Sequence, residues 1–223
     1  MNSEIIFENK NIIAINKPAG LVVHPFDFSD EKTLIDFMME KFPEIFSIVN
    51  EKKLQDGRVL NLGGLVHKLD RETSGVILFA KNQKTFDELK NLFQERKINK
   101  FYKSEVEGEI DEKEFIIDAP LGRNKKDYRQ VVNPENPRGE LREAITNVRV
   151  LEFKNGNTLV ELNPVTGRTH QLRAHMKYIN HPIVGDKVYG NKEIVSDLRL
   201  HAEKIEFELN GKEYKIVAKC ERF

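Results

Sequence analysis

The sequence predicts an α+β protein built on a mixed, largely antiparallel sheet with flanking helices. Three observations carry this. Two segments rich in β-formers are joined by tight-turn signals, at Lys154-Asn155-Gly156 and at Asn210-Gly211. Two short apolar runs, NIIAIN (11–16) and SGVILFAK (74–81), read as strands covered on both faces. Isolated amphipathic stretches, each behind a capping residue, read as single helices.

In chain order, NIIAIN is β-branched and bounded by asparagine, and Lys17-Pro18-Ala19-Gly20 breaks it. LVVHP resumes an extended path that Pro25 ends. Thr33 caps a helix whose apolar positions Leu34, Phe37, Met38 and Phe42 recur at three- and four-residue spacing, and Pro43 stops it. Asn82 caps a second helix with Phe86, Leu89, Leu92 and Phe93 in one stripe and Arg96 and Lys97 near its carboxyl end. FYKSEVEGE, EAITNVRVLEF and NTLVELNP follow as strands. Thr169 is placed to cap a third helix that buries Leu172, Met176 and Ile179, and LHAEKIEFELNGKEYKIVAK closes the chain as a hairpin. A single domain over residues 1–223 is expected, with the turn-rich 133–139 (NPENPRG) as its best candidate for a long excursion.

Composition narrows the class. Hydrophobic residues make up 39% and charged residues 32%, which suits a globular chain and not a disordered one. No apolar run approaches the roughly 20 residues that span a bilayer, and the amino-terminal MNSEIIFENK carries acids where a signal peptide needs bases. The lone Cys220 forms no internal disulfide and no cysteine-built zinc site, so a reducing cytoplasm is the expected setting. Thirty-six basic residues balance thirty-six acidic ones, but the charge is segregated. Residues 105–118 are acidic with Lys113 as the lone base, whereas residues 163–190 hold Arg168, Arg173, Lys177 and Lys187 against Asp186 alone. Residues 121–149 are also rich in lysine and arginine, and read as basic loops.

Three segments carry candidate chemistry. In LVHKLDRETSGVILFAK, Asp70 lies in a short polar loop before an apolar strand, with His67, Lys68, Arg71 and Thr73 around it. Such a carboxylate is anchored by rigid structure; the plainer alternative is an aspartate that only organises a turn. In NPVTGRTHQLRAHM, Gly167 supplies a bend, and Arg168 and Arg173 crowd a helix start, with His170 and Gln171 between them. Helix dipoles favour anions there, so the arginines suggest an incoming carboxylate or phosphate. His170 and His175 are five apart, which does not place two metal ligands on one helical face. The third candidate is Tyr102, which an alternating strand sets on the face opposite Phe101.

These segments in this order, opened by NKPAGLVVHP, resemble the RluA-type family of RNA pseudouridine synthases over nearly the whole chain. HKLDRETSGVILFAK is similar to the family's H-R-L-D-x-x-T-S-G block, KFYKSEVEG to its K-x-Y-x-A-x-V-x-G strand, and GRTHQLRAHM to its second block. The resemblance implies a mixed-sheet catalytic fold with a cleft along its middle, and no metal or organic cofactor. It implies the conversion of uridine to pseudouridine in structural RNA, ribosomal or transfer. By position it makes Asp70 the catalytic aspartate, Tyr102 the active-site tyrosine and Arg168 the arginine that pairs with the aspartate. Lys68 stands where the family usually has an arginine that fills the gap left by the flipped base, and a lysine lacks the planar guanidinium for that task. Ser104 replaces the usual alanine. Met1 lies only sixteen residues before Lys17, so RNA selection is expected from the catalytic domain itself, without an amino-terminal RNA-binding domain. No membrane and no obligate protein partner is expected.

The chemistry asks for these groups. The bond from the anomeric carbon to uracil N1 breaks, the base turns, and the sugar rejoins at C5. An ionised carboxylate can attack the sugar or take a sugar proton, and an adjacent arginine favours its charged form. A base must then remove the C5 proton, directly or through Tyr102. Extruding the uridine costs a few kcal/mol, which contacts from His67, Lys68, Arg71, Thr73, His170, Gln171 and Arg173 to RNA would offset. The competing classes are a non-catalytic RNA-binding or ribosome-assembly factor on the same fold and a metal-dependent nuclease. Glu72 is the only acid near Asp70 in sequence, which disfavours the nuclease.

Overall fold

The computed structural model describes residues 3–25, 31–54, 57–125, 127, 129–135, 137–190 and 197–220. The chain divides into two compact units, Met1–Ile98 with Lys204–Lys219, and Asn99–Glu203 with Cys220–Phe223.

In the first unit, β1 (Glu4–Glu8) and β2 (Ile12–Lys17) form an antiparallel pair that sequence reading missed at β1, where acids flank a three-residue apolar core. Thr33 caps α1 (Leu34–Lys41) as predicted. Its hydroxyl oxygen accepts from the Asp36 amide, while the Asp36 carboxylate accepts from the Thr33 amide at 2.7 Å. Pro43 starts a short 3-10 turn, Pro43–Ser47, and β3 (Glu51–Lys53) pairs with β4 (Val59–Asn61). Next comes β5 (Ser74–Ala80), the apolar run, which lies antiparallel beside β2 with every residue from Gly75 to Ala80 buried. α2 (Gln83–Gln94) begins at Asn82, whose side chain accepts from the Thr85 amide at 2.9 Å.

The second unit opens on β6 (Asn99–Glu107), followed by β7 (Glu114–Asp118), β8 (Leu121–Arg123), β9 (Gln130–Val132) and β10 (Arg138–Arg142). β11 (Ile145–Lys154) and β12 (Asn157–Pro164) form the predicted hairpin. Asn155 and Gly156 both adopt positive φ (54° and 80°), the backbone that a two-residue turn requires. The pairing order β6, β12, β11, β7 is antiparallel throughout. α3 (Gln171–Tyr178) packs Leu172 and Met176 onto this sheet among Val106, Val148, Val160 and Leu162. The 121–149 stretch is not loop. Its first half is a three-stranded antiparallel sheet, β10-β8-β9, and 133–139 is no long excursion but the short β9–β10 connection and the start of β10, with Asn136 outside the described residues. Short, polar, largely exposed strands carry no alternation for a sequence reading to find.

The closing hairpin is β13 (Leu200–Leu209) and β14 (Lys212–Val217), turning on Asn210-Gly211 with Leu209 opposite Lys212. β13 supplies residues to both units. Among the described residues the pairings given above are antiparallel, which with α1, α2 and α3 gives the predicted α+β class. No helix among the described residues is long and apolar enough to cross a membrane.

Candidate active site

The Asp70 segment is held from both ends. Upstream, Gly64 lies so close to β5 that a Cβ there would overlap the Ala80 carbonyl oxygen, and the Ala80 amide donates to the Gly64 carbonyl at 2.7 Å. His67 Nε2 accepts from the Leu78 amide at 3.0 Å, and its ring stacks obliquely on Phe93 at 4.9 Å. His67 therefore pins the extended chain to β5. Leu69 is buried beneath it, Lys68 is exposed, and Asp70 is half-buried. The Thr73 amide donates to the Asp70 carbonyl at 3.2 Å, closing a turn that places buried Thr73 at the head of β5.

Lys17 is the other anchor, and sequence reading passed over it inside NKPAG. It is fully buried, with Nζ donating to the carbonyls of Pro18 and Leu21 at 2.9 Å and of Arg71 at 3.0 Å. The Gly20 amide donates to the same Arg71 carbonyl at 2.9 Å. Burial pushes the Lys17 pKa down to about 8, against the pull of the Glu72 and Asp70 charges that raise it. One ammonium thus ties the turn after Asp70 to the KPAG segment and feels the Asp70 charge. Lys17→Met takes the ammonium from the Pro18 and Leu21 carbonyls and leaves the Arg71 carbonyl with the Gly20 amide alone of these two donors. It is expected to speed hydrogen exchange at the Gly20 amide by roughly tenfold or more; unchanged exchange would remove Lys17 as the anchor. The Arg71 side chain points elsewhere, to Glu31 at 2.8 Å and Glu72 at 3.9 Å, with about half its surface exposed.

Lys52 and Lys68 gather positive charge beside His24 in the same unit. Lys52 Nζ lies 3.2 Å from His24 Nε2. Burial lowers the pKa of both His24 and Lys52, and the Lys68 charge lowers both further.

In the second unit the GRTHQLRAHM block is mostly scaffold for Arg168. Gln171 is buried: its Oε1 accepts from the Thr166 hydroxyl at 2.7 Å and the Arg168 amide at 3.0 Å, and its Nε2 donates to the Ile145 carbonyl at 2.9 Å. Arg168 is half-buried, with Nε donating to the Glu143 carbonyl at 3.0 Å. Thr169 does not cap α3. The helix starts behind His170, which sits in the left-handed region at φ 53° and offers no side-chain cap. Its Nδ1 lies 3.1 Å from the Tyr189 hydroxyl.

Arg173 is not presented to an RNA. It is 5% exposed and bidentate on Asp186, at 2.8 and 2.7 Å. The anion that its position called for is a carboxylate of the protein itself. Asp186 also accepts from the amides of Val188 and Tyr189 at 2.9 and 3.0 Å. Burial alone would raise the Asp186 pKa, but Arg173 and these two amides lower it below the usual carboxylate value. His175 is buried between the Thr146 hydroxyl at 2.9 Å and the Ala119 carbonyl at 3.0 Å, a structural histidine. Among the described residues no three His, Cys, Asp or Glu gather as metal ligands. Tyr102 is half-buried on β6, opposite Leu162 and packed against the sheet's core. His67, Gln171 and Arg173 are thus built into the structure, while Lys68 and Arg71 remain on the surface.

A model of the RNA pseudouridylate synthase family matches residues 11–178, a span holding Asp70, Tyr102 and Arg168. The chain is 36% identical over 216 residues to ribosomal large subunit pseudouridine synthase D of Borreliella burgdorferi, covering 95% of this chain and 63% of that protein. It is 33% identical over 210 residues to the uncharacterized RNA pseudouridine synthase YlyB of Bacillus subtilis, covering 93% and 65%. The chain therefore spans less than two thirds of the length of these relatives. The solved structure of human RNA pseudouridylate synthase domain containing 1 shares the fold, with a TM-score of 0.79, 24% identity, and coverage of 98% of this chain and 84% of that one. By the match across most of its length, the chain belongs to the RNA pseudouridylate synthase family.

Proposed function

We propose that this protein isomerises uridine to pseudouridine in structured ribosomal or transfer RNA, with its two units working as one catalytic domain in the cytoplasm. The observation that carries the reading is the family match over residues 11–178, which contains all three residues assigned to the reaction. Asp70 is the carboxylate that acts on the sugar, by covalent attack or by taking a proton. Arg168 is the arginine that the family resemblance assigns as its partner, and Tyr102 contacts the uracil and serves the removal of the C5 proton. The overall change is an isomerisation, so the reaction consumes no oxidant, no reductant and no energy source.

Two surface features support a polyanion as substrate. Arg138 lies directly opposite Arg123 across the β10–β8 ladder, both exposed. Like charges facing each other destabilise a sheet unless an anion lies over them. Lys52 and Lys68 add a second positive centre in the unit that carries Asp70. Lys68, His170 and Arg71 remain available at least in part for the target's backbone.

The test uses RNA tritiated at uracil C5. The protein is expected to release tritium and to leave pseudouridine at a defined position of ribosomal or transfer RNA. An RNA-binding or assembly factor on the same fold would bind without releasing tritium, and that outcome overturns the proposal.

A further inference from the structure

The two fully buried cations among the described residues, Lys17 and Arg173, have partners, whereas the half-buried Lys100 has none. Lys17 is held by three carbonyls and Arg173 by Asp186. Lys100 is different. It stands on β6 two residues before Tyr102, so strand alternation puts the two side chains on the same face. The β6–β12 register runs without a bulge to Tyr102, and Asn163 Nδ2 donates to the Lys100 carbonyl at 2.9 Å, which fixes the backbone there. The ammonium lies against the bend that carries Arg168: a Cβ built on Gly167 would sit 3.7 Å from Lys100 Nζ. Among the described residues no carboxylate or carbonyl partners that ammonium. Burial pushes its pKa down to about 8.

A half-buried cation loses part of its hydration, and an opposite charge arriving beside it regains that loss. We propose that Lys100 stabilises the negative charge that the uracil ring carries while it is detached from the ribose. The inference rests on the functional reading above, with Tyr102 against the uracil. Phosphates of an RNA backbone keep their charge near solvent, whereas the ring's charge arises inside the site, next to Tyr102 and Arg168. When the C1′–N1 bond breaks, its electron pair stays on the ring and spreads over N1 and the two carbonyl oxygens. The ring turns, an electron pair at C5 forms the bond to C1′, the C5 proton leaves to a base, and N1 takes up a proton. Lys100 supplies charge and exchanges no atom. A fixed donor aimed at charge that develops only during reaction lowers the barrier without tightening ground-state binding.

The experiment is single-turnover kinetics on an RNA with a mapped target uridine, comparing wild type with Lys100→Met and Lys100→Arg. Lys100→Met is expected to lower the rate constant about 10²–10³-fold. Its RNA Kd should stay within about threefold, because the interaction is made only with the detached ring. Lys100→Arg keeps the charge and is expected to recover a large part of the loss. Removing an unpaired charge from a half-buried place should not lower the thermal midpoint, and Lys100→Gln, which is polar but uncharged, should repeat the loss should Met disturb packing. A Lys100→Met rate within about threefold of wild type overturns the proposal. So does a loss confined to Kd, which would mark a phosphate contact. If wild type forms no pseudouridine, the functional reading itself fails; an active wild type indifferent to Lys100 removes this inference alone.

Discussion

Asp70→Asn is expected to abolish product, lowering the rate by about four orders of magnitude or more, while RNA affinity stays within about threefold. Asparagine keeps the size of the side chain, and the turn has backbone bonds that the substitution leaves in place. It closes through backbone groups, Thr73 amide to Asp70 carbonyl, and through Lys17 and Gly20 on the Arg71 carbonyl. What disappears is the negative charge, and with it both proposed roles, attack on the anomeric carbon and proton removal from the sugar. The same substitution has a readout that needs no RNA. The Asp70 charge raises the pKa of Lys17, so in Asp70→Asn the Lys17 ammonium should titrate lower than its present value of about 8. Full tritium release by the Asn variant would sink the assignment of Asp70.

The second large effect is on stability. Arg173→Met or Asp186→Asn breaks a bidentate pair that is buried on both sides, 6% and 0% exposed at the side chains. Each is expected to cost about 3–5 kcal/mol, because the remaining partner is left charged or unsatisfied in a dry site. For a chain of this size that is roughly a 6–20 °C fall in thermal midpoint. Arg173→Met with Asp186→Asn should restore most of the loss, since both charges leave together and the asparagine oxygen still accepts from the Val188 and Tyr189 amides. The pH dependence follows from the depressed Asp186 pKa. A carboxyl that holds its proton less tightly when folded than when unfolded stabilises the fold fully at neutral pH, and the contribution fades as pH falls below about 4. A midpoint that is the same in wild type and Asp186→Asn at pH 7 would show the pair to be energetically idle.

The scaffold was legible where one local rule dominates. Thr33 and Asn82 cap helices because their side chains reach amides three residues on, and Asn155-Gly156 and Asn210-Gly211 turn because both residues accept positive φ. It was illegible where tertiary contacts decide. α3 starts behind a left-handed His170 because Gln171 is drawn inward to Thr166 and Ile145, and no capping residue marks that. Arg173 was read as facing outward, although Asp186, the lone acid in a basic stretch, was the signal of its partner. Lys17 and Lys100 lie inside NKPAG and NKFYKSEVEG, but lysine is so common on surfaces that only their packing distinguishes them.

The bend that carries Arg168 is fastened by neutral groups: the Gln171 amide, the Thr166 hydroxyl and the Glu143 backbone carbonyl. Dissolved ions compete poorly with such bonds but compete well with lysines and arginines for RNA. Ionic strength should therefore govern how readily the transcript docks and leave turnover of the docked complex nearly untouched, so that added potassium chloride raises KM and spares kcat.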